Sequence, residues 1–235
     1  GDSSRNFSNI NKIISASNNY SLKIIKKIYF KVINASIHSA KSIKIAEAAK
    51  VLENTQRDIN IGLMNEFNEI CSKLKISTAE VLKAASTKWN FLDFKPGFVG
   101  GHCISVDPYY LSFKAKELGL DPKIILSSRS TNDKVPQRLS KKINEYFIKN
   151  KILNPKIIFF GITYKNNVSD IRNSGAIKLI ELSKKKYFVH SFDPNAVIDK
   201  KISKKINLIN IPKKKFYDLI VINTNHKYFI KNYKF

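Results

Sequence analysis

One stretch constrains the fold of this chain more than any other. Residues 42–74 contain no proline and a single glycine, Gly62. Apolar side chains recur there every three or four positions, which is the period of an amphipathic helix. They are Ile45, Ala48, Ala49, Leu52, Ile59, Leu63, Phe67, Ile70 and Leu74. With Ser42 placed to cap the first turn, the pattern predicts one helix of about 30 residues, or about 45 Å.

The residues after this helix follow two different patterns. A second helical pattern covers 77–85, opened by Ser77 and with Glu80 placed for a capping box. A loop rich in glycine, proline and aromatic residues (88–110) is followed by helical patterns at 110–118 and 122–149. The chain then changes to short apolar runs at 156–162, 187–193 and 218–224, with a helical stretch at 176–185 that Ser174 is placed to cap. Short β-branched runs alternating with helices are typical of a parallel α/β unit.

The first 41 residues carry weaker patterns. Ile10, Ile13 and Ile14 are spaced for a short amphipathic helix, and residues 27–34 alternate apolar and polar in the manner of a strand. Overall the sequence predicts an α/β protein. A central all-helical part with a long linking helix precedes a Rossmann-like α/β part, and the boundary between them falls near residue 150.

Composition narrows the function classes. Lys and Arg number 42 against 18 Asp and Glu, a net charge of +24, yet only five of these cations are Arg. Nucleic-acid binders concentrate charge in a stripe and favour Arg for bidentate contacts. Because the lysines are spread over the whole chain, we expect a solvated basic surface and no nucleic-acid partner; a basic RNA-associated domain is the minor alternative.

Cysteine content and hydropathy indicate where in the cell the protein is located. Cys71 and Cys103 make no disulfide framework, which favours a reducing, cytoplasmic location. No apolar run approaches the roughly 18–20 residues of a membrane span, so no membrane insertion is expected. The chain opens with Gly1 rather than Met, and we expect it to be a piece of a longer protein.

The stretch GFVGGHCISVDPYY, residues 97–110, surrounds Cys103 with glycines and places Asp107 four positions later. Gly100 and Gly101 would let a substrate approach the sulfur closely, as a reactive thiol requires. A tight turn around a buried structural thiol is the alternative. His102 is not expected to act as the base, since neighbours in extended backbone point to opposite sides. No companion Cys or His predicts a metal site.

Two further constellations carry polar chemistry. In AEAAKVLENTQRDIN, Lys50 and Asn54 lie one helical turn apart on one face, where they are either solvated or able to stabilise an oxyanion. In GITYKNNVSDIRNS, residues 161–174, a strand is followed by a loop with Lys165, Asp170 and Arg172. Phosphates bind at such strand ends in α/β folds; a structural Asp–Arg pair is the alternative.

Together these segments resemble the UDP-glucose/GDP-mannose dehydrogenase family, and most closely its bacterial UDP-N-acetyl-D-glucosamine (or galactosamine) 6-dehydrogenases of capsule or O-antigen polysaccharide biosynthesis. Further matching stretches are GDSSRNFSNINKI, TKWNFLDFKPGFVGGHCISVDPYYLSFKA, SRSTND and NTNHKYF. They cover nearly the whole chain in the order that the family has.

The resemblance implies an oxidoreductase that uses NAD to oxidise C6 of a UDP-N-acetylhexosamine twice, giving the uronic acid. Cys103 would be the nucleophile, through a thiohemiacetal and then a thioester that water hydrolyses. Lys50 and Asn54 would stabilise the oxyanion, and Asp107 would position the water.

The resemblance also implies the binding residues. The substrate would be held by Phe94, Lys95, Pro96, Gly97, Gly100, Tyr164 and Lys165, and Arg172, with Cys103, would face NAD. Lys95 stands where this subgroup has Arg, so the charge remains but the bidentate fork is lost.

The family's N-terminal NAD-binding domain carries G-x-G-x-x-G, which this sequence lacks. The resemblance therefore implies that residues 1–41 are the tail of that domain, 42–149 a central dimerisation and catalytic-loop domain, and 150–235 an incomplete UDP-sugar-binding domain. A homodimer is expected, and the fragment alone should be inactive. UDP-glucose 6-dehydrogenase and a non-catalytic UDP-sugar-binding module remain as alternatives.

Overall fold

A computed structural model describes residues 6–233 of the chain. These residues divide into two compact units, 1–56 and 57–235. The division falls inside the longest helix, and each unit is described by itself.

The first unit is built on a parallel pair of strands. After a 3-10 turn (Phe7–Asn9) come strand β1 (Lys12–Ile14), helix α1 (Asn19–Val32), strand β2 (Ile37–Ser39) and the start of helix α2 (Ile43–Leu74). β1 pairs with β2 in parallel, with Ile13 opposite His38. A parallel pair needs a crossover connection, and α1 supplies it.

Both predictions for the secondary structure of residues 10–34 were wrong. Residues 12–14 form a strand rather than a helix, with Ile14 buried and Ile13 half exposed. Residues 27–32 belong to α1 rather than to a strand. The side chain of Asn18 caps α1 by accepting a hydrogen bond from the Ser21 N–H over 2.8 Å, which fixes the helix start well before the alternating residues.

The long helix is confirmed. α2 spans 32 residues, and the Ser42 hydroxyl accepts from the Ile45 N–H at 3.3 Å, as its predicted capping role requires. The next helix also begins as predicted, because Ser77 accepts from the Glu80 N–H over 3.4 Å.

The second unit continues with helices and then strands that alternate with helices. They are α3 (Thr78–Ala85), α4 (Asp107–Glu117), α5 (Lys123–Asp133), α6 (Val135–Lys149), β3 (Lys156–Phe160), α7 (Gly175–Lys184), β4 (Phe188–Phe192), α8 (Lys200–Lys205), β5 (Leu219–Ile222) and α9 (Lys227–Asn232). The helix predicted over 122–149 is two helices: Lys134 separates them, and Pro136 lies in the first turn of α6, where its missing N–H costs nothing. Ser174 precedes α7 but makes no side-chain capping bond, so its predicted role was wrong.

The three predicted strands form one parallel sheet in the order β4-β3-β5. Ile157 and Phe159 of the central strand pack on one face with residues of α6 and α7, including Phe147 and Leu179. Ile158 and Phe160 pack on the other face with Phe192 and Phe229. A strand buried on both faces reads as a continuous apolar run, which is why KIIFF was recognisable.

Strand order also marks a crevice. β4 and β5 lie on opposite sides of β3. The chain therefore leaves β3 toward one edge of the sheet to form β4, and then returns past β3 to form β5. The direction of strand order reverses between β3 and β5. In open α/β sheets, ligands bind outside the carboxyl ends of the strands at such a point.

Candidate active site

Cys103 lies in a tight turn just ahead of α4. Its carbonyl oxygen accepts hydrogen bonds from the N–H groups of Val106 at 2.9 Å and Asp107 at 2.8 Å, so Asp107 begins the helix one turn after the cysteine. Cys103 is partly exposed, whereas Cys71 on α2 is fully buried. Only Cys103 of the two thiols is therefore accessible to a substrate.

Backbone hydrogen bonds join the Cys103 turn to the loop between β3 and α7. The Gly101 N–H donates to the Arg172 carbonyl oxygen over 2.9 Å. The Gly101 carbonyl oxygen accepts from the Asn173 side-chain amide at 3.0 Å and from the Ser105 hydroxyl at 2.6 Å. One hydrogen-bond network thus joins the loops 97–106 and 161–174, although they lie about sixty residues apart along the chain.

The glycines of this turn have a different role from the predicted one. A Cβ atom at Gly100 would lie 2.8 Å from Tyr164 Cβ and 2.9 Å from the Asn173 carbonyl oxygen. Gly101 has φ of +84°, a conformation that favours glycine, and a Cβ atom there would lie 3.0 Å from the Tyr164 ring. The space beside Gly100 and Gly101 is filled by the protein, so these glycines allow the two loops to pack closely rather than leave room for a substrate.

The start of the loop that carries Cys103, residues 97–106, is fixed at Gly97. The side-chain amide of Asn65, on α2, accepts from the Gly97 N–H at 2.8 Å and donates to its carbonyl oxygen at 2.9 Å. The same amide donates to Asn132 Oδ1 at 2.8 Å, and Asn132 donates to the Asp58 carboxylate at 2.8 Å. A buried polar chain therefore connects the loop to α2 and α5.

Arg129 is the charged centre of this buried network. Its guanidinium lies 2.5 Å from Asp58 Oδ1 and 2.5 Å from Asp133 Oδ1, and its side chain is 4% exposed. Burial lowers the pKa of Arg129, but the charges of Asp58 and Asp133 outweigh it and raise that pKa, so the residue stays charged. Asp133 also accepts from the Tyr109 hydroxyl at 2.7 Å and raises the pKa of Tyr109. The network ties α4 to α5.

The crevice between β3 and β5 contains a small cavity of about 80 Å3. It is lined by Phe98, Gly100, Thr163, Tyr164, Asn166, Ser174, Gly175, Asn223 and Thr224. Residues of the Cys103 loop and the two strand ends therefore meet at the position where the fold predicts a ligand. The amide nitrogen of Asn223 is buried there with no hydrogen-bond partner among residues 6–233, which leaves a donor beside the cavity.

Asp170 and Arg172 form the predicted pair. Arg172 Nε is 3.0 Å from both Asp170 oxygens, and Nη2 is 2.6 Å from Oδ2. These side-chain hydrogen bonds, together with that from the Arg172 N–H, lower the pKa of Asp170 to about 2. The pKa of Arg172 is raised chiefly by Asp170, with smaller effects of Tyr164 and Cys103. The Arg172 guanidinium is therefore held by Asp170 on the loop whose backbone also bonds the Cys103 turn.

The remaining predicted residues lie in other places. Lys95 and Pro96 line a larger groove of about 680 Å3 with residues of α2 and α3, while Phe94 precedes them and Lys165 is exposed on the β3–α7 loop. Lys50, which pairs with Glu53 at 2.9 Å, and the buried Asn54 belong to the first unit. Their joint action with Cys103 stays a prediction.

Several of these connecting residues were not identified as functional from sequence. Asn65 binds Gly97 of the Cys103 loop, and Asn132 binds Asn65. The side chains of Asp193, after β4, and His226, before α9, are fully buried. The stretches SRSTND and NTNHKYF contain Asn132 and His226, but nothing in their spacing indicates a partner.

Comparison with known proteins decides the family. The family model of the UDP-glucose/GDP-mannose dehydrogenase family, central domain, matches residues 44–134. The model of the same family's UDP binding domain matches residues 158–234. The chain belongs to the UDP-glucose/GDP-mannose dehydrogenase family.

Individual relatives agree with this assignment. Protein CapL of Staphylococcus aureus is 42% identical over all of this chain and 56% of its own length. The UDP-N-acetyl-D-glucosamine 6-dehydrogenase of Salmonella typhi is 42% identical over 97% of this chain and 55% of its own. The solved UDP-D-ManNAc dehydrogenase of Pyrococcus horikoshii matches 94% of this chain and 51% of its own with a TM-score of 0.79 at 29% identity. The chain thus spans about half the length of the curated family members it matches.

Among the described residues, no helix of this family member is long and apolar enough to cross a bilayer.

Proposed function

We propose that this chain is the catalytic-loop and nucleotide-sugar-binding part of an NAD-dependent UDP-N-acetylhexosamine 6-dehydrogenase. The observation that carries the proposal is the shared network of the two loops: the only accessible thiol of the chain lies on a turn hydrogen bonded to the β3–α7 loop, beside the crevice between β3 and β5. Holding a nucleophile and a binding loop in one rigid arrangement is how a site aligns a bound substrate with its reacting group.

Cys103 is the proposed nucleophile. Its sulfur would add to the C6 carbon at the aldehyde level and hold it covalently until the carboxylate is released. Asp107, one turn later in the same segment, would position the hydrolytic water. Lys50 and Asn54 are proposed to stabilise the oxyanion, as the resemblance implies.

The proposed substrate class follows the relatives. A relative 42% identical to this chain is named UDP-N-acetyl-D-glucosamine 6-dehydrogenase, and another, 38% identical over 79% of this chain, UDP-N-acetyl-D-mannosamine dehydrogenase. Tyr164 and Lys165 would contact the UDP moiety at the crevice, with Gly97 and Gly100 in the adjoining loop and Phe94, Lys95 and Pro96 before it.

NAD is the proposed oxidant, yet the described residues form no cradle for its pyrophosphate. The turn after β1, residues 15–18, contains no glycine, and the Asn18 side chain already occupies the first turn of α1. Arg172 and Cys103 are proposed to face the cofactor, which would accept the hydride when bound. We expect residues 1–235 alone to give no NADH absorbance with UDP-N-acetylhexosamines.

The proposed domain bounds are 1–41, 42–149 and 150–235, as the resemblance implies, in a cytoplasmic homodimer. Exposed apolar side chains on one face of α2 support a dimer through this helix: Leu63, Ile70 and Leu74 are 58%, 48% and 63% exposed. Helices of soluble proteins bury such a face against a partner.

Protection of Cys103 from alkylation tests the proposal. UDP-N-acetylglucosamine should slow the reaction of iodoacetamide with Cys103 in the native chain, because the sugar would cover the sulfur. Buried Cys71 is the internal control and should react only after denaturation. Cys103→Ser should abolish native labelling. Equal labelling rates with and without the nucleotide sugar, at concentrations up to those that saturate related enzymes, would reject the proposal.

Two alternatives are separated by the same measurement. Stronger protection by UDP-glucose than by UDP-N-acetylglucosamine would favour a UDP-glucose 6-dehydrogenase. Protection without any dehydrogenase domain encoded upstream of Gly1 would favour a binding module that holds UDP-sugars without chemistry. Sequencing the gene upstream of Gly1 therefore completes the test.

A further inference from the structure

The second unit contains a buried histidine that the proposed chemistry does not use. His226 follows the end of β5 and directly precedes α9, and its side chain has no exposed surface. Both ring nitrogens are within hydrogen-bond distance of partners from the neighbouring strand ends. Two-sided hydrogen bonding of a fully buried imidazole fixes its orientation and its tautomer.

The hydrogen-bond partners select one tautomer. The Asn167 backbone N–H donates to Nδ1 over 2.8 Å, which requires a lone pair at Nδ1 and places the proton of the neutral ring on Nε2. Nε2 then donates to Asp193 Oδ2 at 3.0 Å, with Thr163 Oγ1 at 3.1 Å. The opposite tautomer would set two N–H groups against each other at Nδ1 and a lone pair against a carboxylate.

Asp193 anchors the other side of the same segment. Oδ2 accepts from the N–H groups of Ile162 at 2.7 Å and Thr163 at 3.2 Å, and Oδ1 accepts from the Asn195 N–H at 2.8 Å. Burial raises the pKa of Asp193, but the hydrogen bonds from His226 and these amides outweigh it and lower that pKa. A buried carboxylate with this many donors is ionised and geometrically fixed.

These contacts hold both ends of a short loop segment. Ile162 and Thr163 are bound by Asp193 at one end, and Asn167 is bound by His226 at the other. Asn167 has φ of +58° and its side chain accepts from the Lys227 N–H at 2.9 Å, so its unfavourable backbone conformation is held from two sides. Between the anchors lie the residues proposed to contact UDP.

We propose that His226 and Asp193 are positioning residues that hold segment 162–167 in the shape that presents Tyr164 and Lys165 to the nucleotide sugar. The role of this segment in binding the nucleotide sugar rests on the proposed function. The role of His226 and Asp193 in holding the segment rests on their contacts alone, so the two roles are tested separately.

Isosteric variants separate the two sides of the ring. His226→Asn places an oxygen near the position of Nδ1 and keeps an acceptor for the Asn167 N–H. His226→Gln places an amide nitrogen near Nε2 and keeps a donor for Asp193. His190→Gln is the matched control, because His190 bonds the Tyr217 hydroxyl at 2.8 Å and, among the described residues, its side chain makes no hydrogen bond to segment 162–167.

Amide hydrogen exchange of Asn167, measured by NMR on the 235-residue chain, tests the holding role without any ligand. We expect exchange about tenfold faster in His226→Gln, the effect of losing a net hydrogen bond of about 1.4 kcal/mol, and near wild-type exchange in His226→Asn and His190→Gln. Unchanged Asn167 exchange in His226→Gln would overturn the proposal. Long-range 15N–1H correlations of the wild-type ring, which need no variant, should show the proton on Nε2; a proton on Nδ1 would overturn it equally.

Calorimetric titration with UDP-N-acetylglucosamine tests the consequence for binding. We expect about tenfold weaker binding by His226→Gln and unchanged binding by His190→Gln. Equal affinities of His226→Gln and wild type would show that the segment does not position the ligand. If the wild-type chain does not bind at all, the proposed function fails, whereas the exchange result still decides whether His226 holds the loop.

Discussion

Replacing Gly100 with Ala should destabilise the second unit through two identifiable close contacts. The added Cβ would lie 2.8 Å from Tyr164 Cβ and 2.9 Å from the Asn173 carbonyl oxygen. Carbon contacts are normally about 3.5–4.0 Å, and neither partner is the free end of a flexible side chain. The loops must therefore move apart, and overpacking of this kind costs about 1–3 kcal/mol.

Gly97→Ala is the matched control, because a Cβ at Gly97 would meet no atom within 4 Å. Both substitutions remove the same backbone freedom from the unfolded chain, which stabilises by about 0.4–1 kcal/mol. The difference between the two variants therefore isolates the cost of the contact, about 1–3 kcal/mol. For a unit of this size it corresponds to roughly 2–4 °C in melting temperature for each kcal/mol.

Urea unfolding followed by circular dichroism measures this difference. Separating the loops should also change the rate at which iodoacetamide alkylates Cys103, while Cys71 stays protected. If Gly100→Ala is as stable as Gly97→Ala, then the space beside Gly100 is not filled by Tyr164, and the proposed rigid connection of the two loops is wrong.

Two further predictions concern charged pairs of the second unit. Arg129→Met should lower the free energy of unfolding by about 3–5 kcal/mol, because it leaves the Asp58 carboxylate buried without its cation. Adding Asp58→Leu to this variant should recover part of the loss, as measured by urea unfolding. If it recovers nothing, the unpaired carboxylate is not the cause. Asp170 should remain ionised at pH 3 by carboxyl NMR, since its pKa lies at about 2. Because the folded pKa is below the unfolded value, the pair stabilises above pH 4 and this contribution is lost as the pH falls toward 2. Arg172→Gln should raise the midpoint toward the ordinary value of about 4 without fully reaching it, because the bond from the backbone N–H of residue 172 remains; an unchanged midpoint would exclude the Arg172 side chain as the cause.

The sheet was predictable from sequence because burial leaves a simple signal there. Residues 157–160, IIFF, are all apolar because alternate residues pack on opposite faces, Ile157 and Phe159 on one and Ile158 and Phe160 on the other. Parallel strands with both faces covered carry this pattern regardless of their partners.

Helix α1 was predicted as a strand because a stretch of eight residues is too short to distinguish the helical period from the strand period of two. Eight residues from Lys27 alternate well enough for a strand, yet the large half-buried side chains of α1 are Leu22, Ile25 and Tyr29, spaced three and four apart. The capping bond of Asn18 lies nine positions before Lys27, outside that window. Boundaries depend on such local capping contacts rather than on the average period.

The residues that could carry chemistry were predictable, but the contacts that hold them were not. Cys103 stands out through its glycines and Asp107. Asn65 binds Gly97 from 32 residues away and His226 binds Asn167 from 59 residues away, and a single asparagine or histidine has no period that could indicate its partner. Only the folded chain brings these pairs together.

The way the two loops are connected has a consequence for how this site would select its substrate. Gly97 is held by Asn65 and Gly101 by Asn173, so the segment before Cys103 is fixed at both ends within one unit. A segment fixed in this way cannot adapt to a substrate of a different length without losing buried hydrogen bonds, each worth about 1–3 kcal/mol when a group is left unpaired. The distance from the β3–β5 crevice to the sulfur is then a property of the fold, and a sugar whose C6 does not reach Cys103 from that crevice would bind without being positioned for reaction. Selectivity by reach predicts that nucleotide sugars of similar affinity differ in how well they protect Cys103 from alkylation, whereas selectivity by affinity alone predicts that protection follows occupancy for all of them.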